Sequence, residues 1–259
     1  MNQLVLIDEL EGATAPAHSK IGASSMSRWS KCPGSVRMSA SIQDVPSKYA
    51  AEGSRAHALA ETILSDRTLG ALADASEDML AAVRIYVDFV RSISRGAVLF
   101  IEHRFDLSSL HKGLFGTADA VVYQASTKHL IVADYKHGSG IPVEVVGNVQ
   151  LMYYGLGALL SFGYPCETVD LVVVQPRCPH VGGPIRSWRI DSFRLLDFAA
   201  DLVEFAKCTE EPDAPLVPGD HCQFCPANFY CPVAAPRPKW KPAPRDPALD
   251  FQPVDSSTA

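Results

Sequence analysis

Residues 115–138, FGTADAVVYQASTKHLIVADYKHG, form two apolar runs joined by a short polar turn. The runs have the length and β-branched content of strands, and so short a connection predicts that they pair antiparallel. Asp119 lies toward the start of the first strand and Asp134 near the end of the second, so this pairing brings the two carboxylates together. Lys136 follows Asp134 by two residues and therefore points to the same face of its strand.

The sequence on both sides of this hairpin alternates between helical and strand patterns. Helix-forming residues and then a run with a period of two precede the hairpin. A helix, an apolar strand typical of burial on both faces, a short strand and a last helix follow it. This order predicts an α/β fold with a mixed central sheet flanked by helices. The expected helices are 24–41 (broken at Pro33 and Gly34), 51–66, 76–94, 148–163 and 192–211, and the expected strands are 97–107, 115–124, 128–138, 168–176 and 186–191.

Length and composition fit a single globular domain. The chain has 259 residues, of which 47% are hydrophobic and 20% charged, so it can build a large core. We expect the domain to span 23–234, with disorder at 1–22 and in the proline-rich tail 235–259. The net charge of −6 gives no overall signal for nucleic-acid binding, although basic residues can cluster locally. Without a long apolar stretch or a secretory signal in the sequence, we expect a cytoplasmic protein and no membrane partner.

The paired carboxylates predict a metal site. Two carboxylates held side by side repel each other, a divalent cation relieves that repulsion, and hard oxygen ligands suit Mg²⁺ or Mn²⁺. Lys136 beside them could orient or deprotonate a water, or stabilise charge on a phosphate. The alternative is a surface ion pair between Asp134 and Lys136 with an unrelated Asp119, because a lone D-x-K pattern is common by chance.

Three more side chains are candidates for the same cleft. Gln150 and Tyr154 are four residues apart on one face of the helix after the D-x-K strand, where an amide and a phenol suit contacts with phosphate or base edges. Tyr154 could equally be an ordinary tyrosine at the edge of the core. His57 could supply a further metal ligand, but Glu61, one turn later in the helix, offers it a plain partner.

Seven cysteines in a chain expected to be intracellular indicate metal binding rather than disulfides. Cys222, Cys225 and Cys231 form a C-x2-C-x5-C pattern, and a tetrahedral ion or a four-cysteine cluster needs one more ligand. Cys32 is the preferred fourth ligand because it is followed by proline, like Cys225 and Cys231. The local alternatives are Cys208 and His221. Zinc and an iron–sulfur cluster both fit this spacing.

Taken in order, these motifs resemble the PD-(D/E)XK nuclease superfamily, and specifically its RecB-like branch. That signature runs from a helical histidine through G-x-x-D and (D/E)-x-K to Q-x-x-x-Y. The matching residues are His57, Gly116 to Asp119, Asp134 with Lys136, and Gln150 with Tyr154. The cysteine layout, one before the nuclease core and three after it, resembles the iron–sulfur subset of AddB-type and CRISPR-associated nucleases. With no Walker A motif in the sequence, the chain also looks similar to stand-alone phage-borne relatives.

The resemblance implies a restriction-endonuclease-like core and a role for each matching residue. The Mg²⁺ or Mn²⁺ ligands would be His57, Asp119, Asp134 and the carbonyl of Tyr135. Lys136 would position the attacking water, while Gln150 and Tyr154 would complete the site and hold the nucleic-acid backbone. A structural 4Fe–4S cluster, with zinc as the alternative, would join the N- and C-terminal segments through Cys32, Cys222, Cys225 and Cys231.

The function expected from the resemblance is a metal-dependent DNA nuclease in phage or bacterial recombination or repair. An exonuclease acting on ends or single strands is favoured over a sequence-specific endonuclease, and a helicase or recombination protein is a plausible partner. One rival is a non-catalytic nucleic-acid-binding or assembly protein that keeps the fold and the cluster. Another is a zinc-stabilised scaffold. Candidate phosphate contacts are Arg28, Lys31, Arg55 and Arg104.

Overall fold

The computed structural model describes residues 19–42, 47–67 and 75–234. In these ranges a five-stranded mixed sheet lies between two helical layers, so the predicted α/β fold with a mixed sheet is confirmed. Residues 19–22, which were expected to be disordered, are described by the structure, and Ile21 is buried in the core. The disorder expected at 1–18 and 235–259 falls outside the described residues.

The helices and strands follow the order predicted from the sequence. Ser76 caps its helix as expected, because its side chain accepts a hydrogen bond from the backbone N–H of Met79. The helices are α1 (Met26–Trp29), α2 (Gly34–Ser39), α3 (Lys48–Leu64), α4 (Glu77–Ile93), α5 (Val149–Phe162) and α6 (Ser192–Cys208). The strands are β1 (Val98–Asp106), β2 (Phe115–Gln124), β3 (His129–Tyr135), β4 (Thr168–Val174) and β5 (Ile185–Asp191).

The strand order in the sheet is β1-β2-β3-β4-β5. The first three strands form the antiparallel meander that the sequence predicts, β4 runs parallel to β3, and β5 is antiparallel to β4. Helix α5 makes the crossover between the two parallel strands. Asn148 caps its start, and Gly163 ends it in a left-handed conformation with φ of +58°. The carboxyl end of β3 and the start of α5 therefore lie at the same edge of the sheet.

The two faces of the sheet carry separate cores. Helix α5 covers one face, where Leu151 and Leu156 pack with the fully buried Trp29 of α1. Helices α3 and α4 cover the other face, where Leu59 and Val83 pack against the sheet. Helix α3 thereby brings its first half to the sheet edge at which β3 ends.

Strand β1 breaks its regular alternation at Glu102. Ile101 and Phe105 are four residues apart, so in a regular strand their side chains would point to the same face of the sheet. Ile101 packs in the core beneath α3 and α4, whereas Phe105 packs in the core beneath α5. Glu102 itself has a left-handed backbone with φ of +48°. The ladder with β2 pairs Ile101 with Ala120 and His103 with Ala118, and it omits the Glu102–Asp119 pair between them. Such local strain in a non-glycine residue is concentrated at functional positions in proteins.

A charge network across β3, β4 and β5 holds the start of the parallel strands together. Asp170 accepts hydrogen bonds of 2.7 and 2.8 Å from Arg189 and lies 3.1 Å from Nε2 of His129. Burial by itself raises the pKa of Asp170, but the hydrogen bond from Arg189 and the charge of His129 outweigh it and lower that pKa. The ionised carboxylate therefore stabilises the folded state at pH values above the pKa of the unfolded chain, and this stabilisation is lost as the pH falls.

We expect Asp170→Asn to lower the free energy of unfolding at neutral pH by about 1–2 kcal/mol, since charged hydrogen bonds are lost but Arg189 is largely solvated. The difference from the wild type should shrink as the pH falls below about 4. Urea unfolding in a pH series measures both effects. Glu167→Gln, which removes an exposed pair with Lys128, is the control and should change nothing measurable. Equal effects of the two substitutions would contradict this account.

Candidate functional site

Asp119 and Asp134 meet at the carboxyl end of β3. The ladder pairs Ala120 with Ala133, so the two aspartates occupy the next opposed positions on β2 and β3. Oδ2 of Asp119 accepts a hydrogen bond of 2.7 Å from the backbone N–H of Tyr135. Asp134 is 2% exposed, which is rare for a carboxylate unless it is paired or binds a metal. The structure thus brings together the two acids that the sequence singled out.

Two more ligand-type side chains surround Asp119. Nδ1 of His57 lies 3.4 Å from Oδ1 of Asp119, whereas Glu61, its alternative helical partner, pairs with Arg67. Among the described residues, ligand atoms of His57, Glu102 and Asp119 form a group in which all lie within 4.8 Å of one another. Sequence reasoning missed Glu102. The sequence did contain a signal for Glu102, because this acid interrupts the run LFIEHRF of β1. Asp119 and Asp134 were recognised from the same kind of signal, an acid within an apolar strand.

The electrostatics of this group reflect crowded negative charge. Burial and then the charge of Asp119 raise the pKa of Glu102 to about 8. Burial would lower the pKa of His57, but the charge of Asp119 and the hydrogen bond with it prevail and raise that pKa to about 9. Burial also raises the pKa of Asp134, against the opposing charge of Lys136. In Asp119 the effect of burial is outweighed, and the charge of His57 with its hydrogen bond lowers the pKa.

Lys136 links the carboxylates to α5. Its Nζ donates to Oδ1 of Asp134 at 3.1 Å and to Oε1 of Gln150 at 3.0 Å. Nε2 of Gln150 in turn donates to the hydroxyl of Tyr154 at 3.0 Å. The two residues of the Q-x-x-x-Y motif therefore face the cleft. Tyr154 is only 8% exposed, which favours a role in orienting Gln150 and Lys136 over a direct contact with a nucleic-acid backbone.

One buried oxygen tests whether these residues suit a metal ion. Oδ2 of Asp134 is buried and receives no well-directed hydrogen bond, although Nζ of Lys136 lies 2.9 Å away. His57, Glu102 and Asp119 bring an imidazole and two carboxylates together, and Asp134 adds a buried carboxylate on the neighbouring strand. The chemistry of these donors fits a hard divalent cation such as Mg²⁺ or Mn²⁺.

A second network fixes Tyr135, whose backbone holds Asp119. The Tyr135 ring packs edge-on against His57, with ring centroids 5.3 Å apart, and its hydroxyl lies 2.8 Å from Nδ1 of His137. Nε2 of His137 lies 3.2 Å from Glu52, and Arg177 donates to the same Glu52 oxygen at 2.6 Å. Burial, followed by the charge of Arg177, lowers the pKa of His137 and favours its neutral form. This network was not expected from the sequence.

The four cysteines assigned to a cluster line a single cavity. Cys32, Cys222 and Cys225 are buried and Cys231 is partly buried. Residues 19–42 and 214–234, which we call the cysteine module, are joined by hydrogen bonds from Gly34 N to Pro215 O (3.0 Å) and from Val217 N to Cys32 Sγ (3.3 Å). His221, one alternative fourth ligand, also lines the cavity, whereas Cys208 is exposed at the end of α6.

The candidate phosphate contacts lie in different environments. Arg28 is partly buried and donates to Oγ of Ser35 at 2.9 Å, which ties α1 to α2. The guanidinium of Arg104 lies over the ring of Phe115, 5.0 Å from its centroid. Lys31 and Arg55 are exposed. Arg28 and Arg104 therefore both have contacts within the fold.

No helix in the described parts of the chain combines the length and apolar character required to span a bilayer.

Among solved structures, the chain is similar to one described as "Crystal structure of SSO0001", with 15% identity, a TM-score of 0.34, and 85% of this chain and 89% of that chain covered. It is also similar to an alkaline exonuclease (LHK-Exo) from Laribacter hongkongensis, with 13% identity, a TM-score of 0.32, and 71% and 90% covered.

A family model described as "Protein of unknown function (DUF2800)" matches residues 18–239. The match includes all the strands and helices described above, with His57, Glu102, both aspartates and the cysteine module. Since it spans most of the chain, the protein belongs to the DUF2800 family.

Proposed function

We propose that this protein is a Mg²⁺- or Mn²⁺-dependent deoxyribonuclease, acting as an exonuclease on DNA ends or single strands. The observation that carries the proposal is the convergence of Asp119, Asp134 and Lys136 at the carboxyl end of β3. His57 and Glu102 add an imidazole and a third carboxylate. Carboxylates and a lysine in one cleft are suited to the hydrolysis of a phosphodiester, because that reaction needs a bound cation and a second positive charge near the phosphate.

Each residue has a definite task in this proposal. A divalent cation held by His57, Glu102, Asp119 and Asp134 would supply a water of lowered pKa and would offset charge on the phosphate. Lys136 presents its ammonium group beside the carboxylates, where it can orient the attacking water and stabilise the negative charge that develops on the phosphate oxygens. Gln150 accepts from Lys136 and is itself held by Tyr154, so these two residues act through the lysine.

We also propose that the cysteine module holds a 4Fe–4S cluster through Cys32, Cys222, Cys225 and Cys231. These four cysteines line one cavity, and their order along the chain, one before the core and three after it, is that of the iron–sulfur subset which the sequence resembles. Zinc, which also takes four thiolates, is the alternative. Iron in anaerobically purified protein supports this assignment, and stoichiometric zinc without iron favours a zinc scaffold.

The nuclease proposal predicts that the purified protein degrades end-labelled linear DNA in the presence of manganese, but not in EDTA. Asp134→Ala should abolish this degradation, because it removes a buried proposed ligand and the carboxylate that pairs with Lys136. Asp88→Ala, an identical change at an exposed position of α4, should leave the rate unchanged.

Single-stranded and double-stranded substrates, each labelled at either end, would also give the preferred substrate and the polarity. Wild-type protein that is folded and contains its cluster, yet leaves every substrate intact, would contradict the nuclease proposal. Retained binding of DNA in that case would favour the non-catalytic binding protein.

A further inference from the structure

The loop that carries three of the cysteines also exposes three large aromatic rings. Phe224 is 69% exposed, Phe229 is 78% exposed and Tyr230 is 74% exposed. These rings lie within seven consecutive residues, whereas the neighbouring Cys222 and Cys225 point inward and are buried. A local group of solvent-exposed aromatic side chains is unusual on a protein surface and marks an interaction site.

The two segments of the cysteine module carry more basic than acidic side chains, in contrast to the chain as a whole. Residues 19–42 contain four basic side chains and no acidic one, and residues 214–234 contain one acid, Asp220, while the full chain carries a net charge of −6. Ser35 and Met38 of α2 line the same cavity as Cys222 and Cys225, so the basic segment lies directly against the aromatic loop. The basic residues are Lys20, Arg28, Lys31 and Arg37.

Three of these cations, Lys20, Lys31 and Arg37, are exposed, and two of them flank Cys32 in sequence. Lys31, just before Cys32, and Arg37, in the last turn of α2, are both exposed. Arg28 is held instead by its hydrogen bonds to Ser35. The cysteine module therefore presents exposed aromatic rings and exposed positive charges, some distance in sequence from the carboxylates of the proposed catalytic site.

We propose that the cysteine module binds single-stranded DNA, with bases stacked on Phe224, Phe229 and Tyr230 and with phosphates contacted by Lys31 and Arg37. Exposed rings combined with positive charge form the platform by which proteins hold single strands without sequence preference. In a duplex the faces of the bases are covered by their neighbours, so exposed rings gain most from an unpaired strand. The positive charge favours a polyanion over an apolar protein partner, because a hydrophobic protein interface is depleted of charge at its centre.

The inference rests on the proposed function in taking DNA as the ligand, but binding does not require the metal at Asp119 and Asp134. Fluorescence anisotropy of labelled oligo(dT) with the full chain, in EDTA, therefore measures the surface alone. We expect the variant with Phe224, Phe229 and Tyr230 all replaced by alanine to bind about 100-fold more weakly than the wild type, or weaker still.

A matched control and a second measurement keep the test decisive. Phe193→Ala removes a ring that is 71% exposed at the first turn of α6, and it should leave binding unchanged. The double variant Lys31→Ala with Arg37→Ala should reduce the slope of log affinity against log salt by about 1.4. If the triple-alanine variant disturbs the metal content of the module, the triple variant Phe224→Tyr, Phe229→Tyr and Tyr230→Phe, which keeps all rings, must bind as the wild type does.

Unchanged oligo(dT) affinity in the triple-alanine variant would overturn the inference, and so would an unchanged salt slope in the double variant. A surface that captures a protein or a vesicle but not oligo(dT) would overturn it as well. Loss of nuclease activity with intact oligo(dT) binding would instead count against the proposed function and leave this inference standing.

Discussion

Asp119→Asn is expected to reduce DNA cleavage by about 10³-fold or more without unfolding the protein. The reason is that the Asp119 carboxylate contacts the other groups of the proposed metal site. Asp119 accepts from the backbone N–H of Tyr135, pairs with His57 and lies beside Glu102. An asparagine can still accept the N–H of Tyr135 through its amide oxygen. It loses the negative charge that attracts the cation, and the loss should therefore fall on metal binding and on the rate together.

Single-turnover cleavage at saturating manganese separates the chemical step from substrate binding, and titration calorimetry with manganese measures the metal affinity. Asp88→Asn is the matched control, because it makes the same change on the exposed face of α4. Glu102→Gln should lose less metal affinity than Asp119→Asn. The substitution removes the charge of one of four proposed ligands but keeps the shape of its side chain. Wild-type manganese affinity and rate in Asp119→Asn would exclude Asp119 as a ligand.

Gly157→Ala is expected to destabilise the fold by about 2–3 kcal/mol, the largest effect we anticipate for the addition of one methyl group. A Cβ at this position of α5 would lie 2.5 Å from Cγ of the Phe105 ring, and two other ring carbons are as close or closer. Phe105 is 2% exposed and also lies against Gly116, where an added Cβ would be 2.8 Å from the ring. The ring therefore has no free space into which it can move.

Chemical denaturation followed by circular dichroism measures this change. Gly53→Ala in α3 is the control, because a Cβ at Gly53 meets nothing within 4 Å. Alanine is a better helix former than glycine, so Gly53→Ala should raise the free energy of unfolding by up to about 1 kcal/mol. Opposite signs for two identical substitutions would identify the packing of α5 on Phe105 as the cause, and equal signs would refute it.

The sequence predicted most of what local pattern and strand pairing determine. The bounds of β2 agree to the residue, and the short turn after it was enough to place Asp119 beside Asp134. Gln150 and Tyr154 were expected to share one face of the helix after β3, and in the structure they bond to each other while Gln150 accepts from Lys136. These features follow from periodicity and from the geometry of neighbouring elements, both of which can be read from one chain.

The features that the sequence did not reveal depend on tertiary geometry. Glu102 turns toward His57 and Asp119 because β1 changes face at a residue with φ of +48°, and a period-two pattern cannot show such a change. The hydrogen bonds that link Glu52, His137 and Arg177 join three distant parts of the chain. Their partners are set by the packing of α3 against the sheet edge, which no local signal encodes.

The close contact between Gly34 and the segment 214–216 has a consequence for the order in which the protein matures. A Cβ at Gly34 would lie 2.5 Å from the carbonyl oxygen of Ala214, so the two segments touch backbone to backbone. During synthesis the strands that carry Asp119 and Asp134 leave the ribosome well before residue 214, and domains begin to fold as they emerge. The cysteine cavity can close only after residues 214–234, which form one side of it, have been synthesised. Loading of the proposed cluster would then be the final event of biogenesis, acting on a sheet and helices that are already folded.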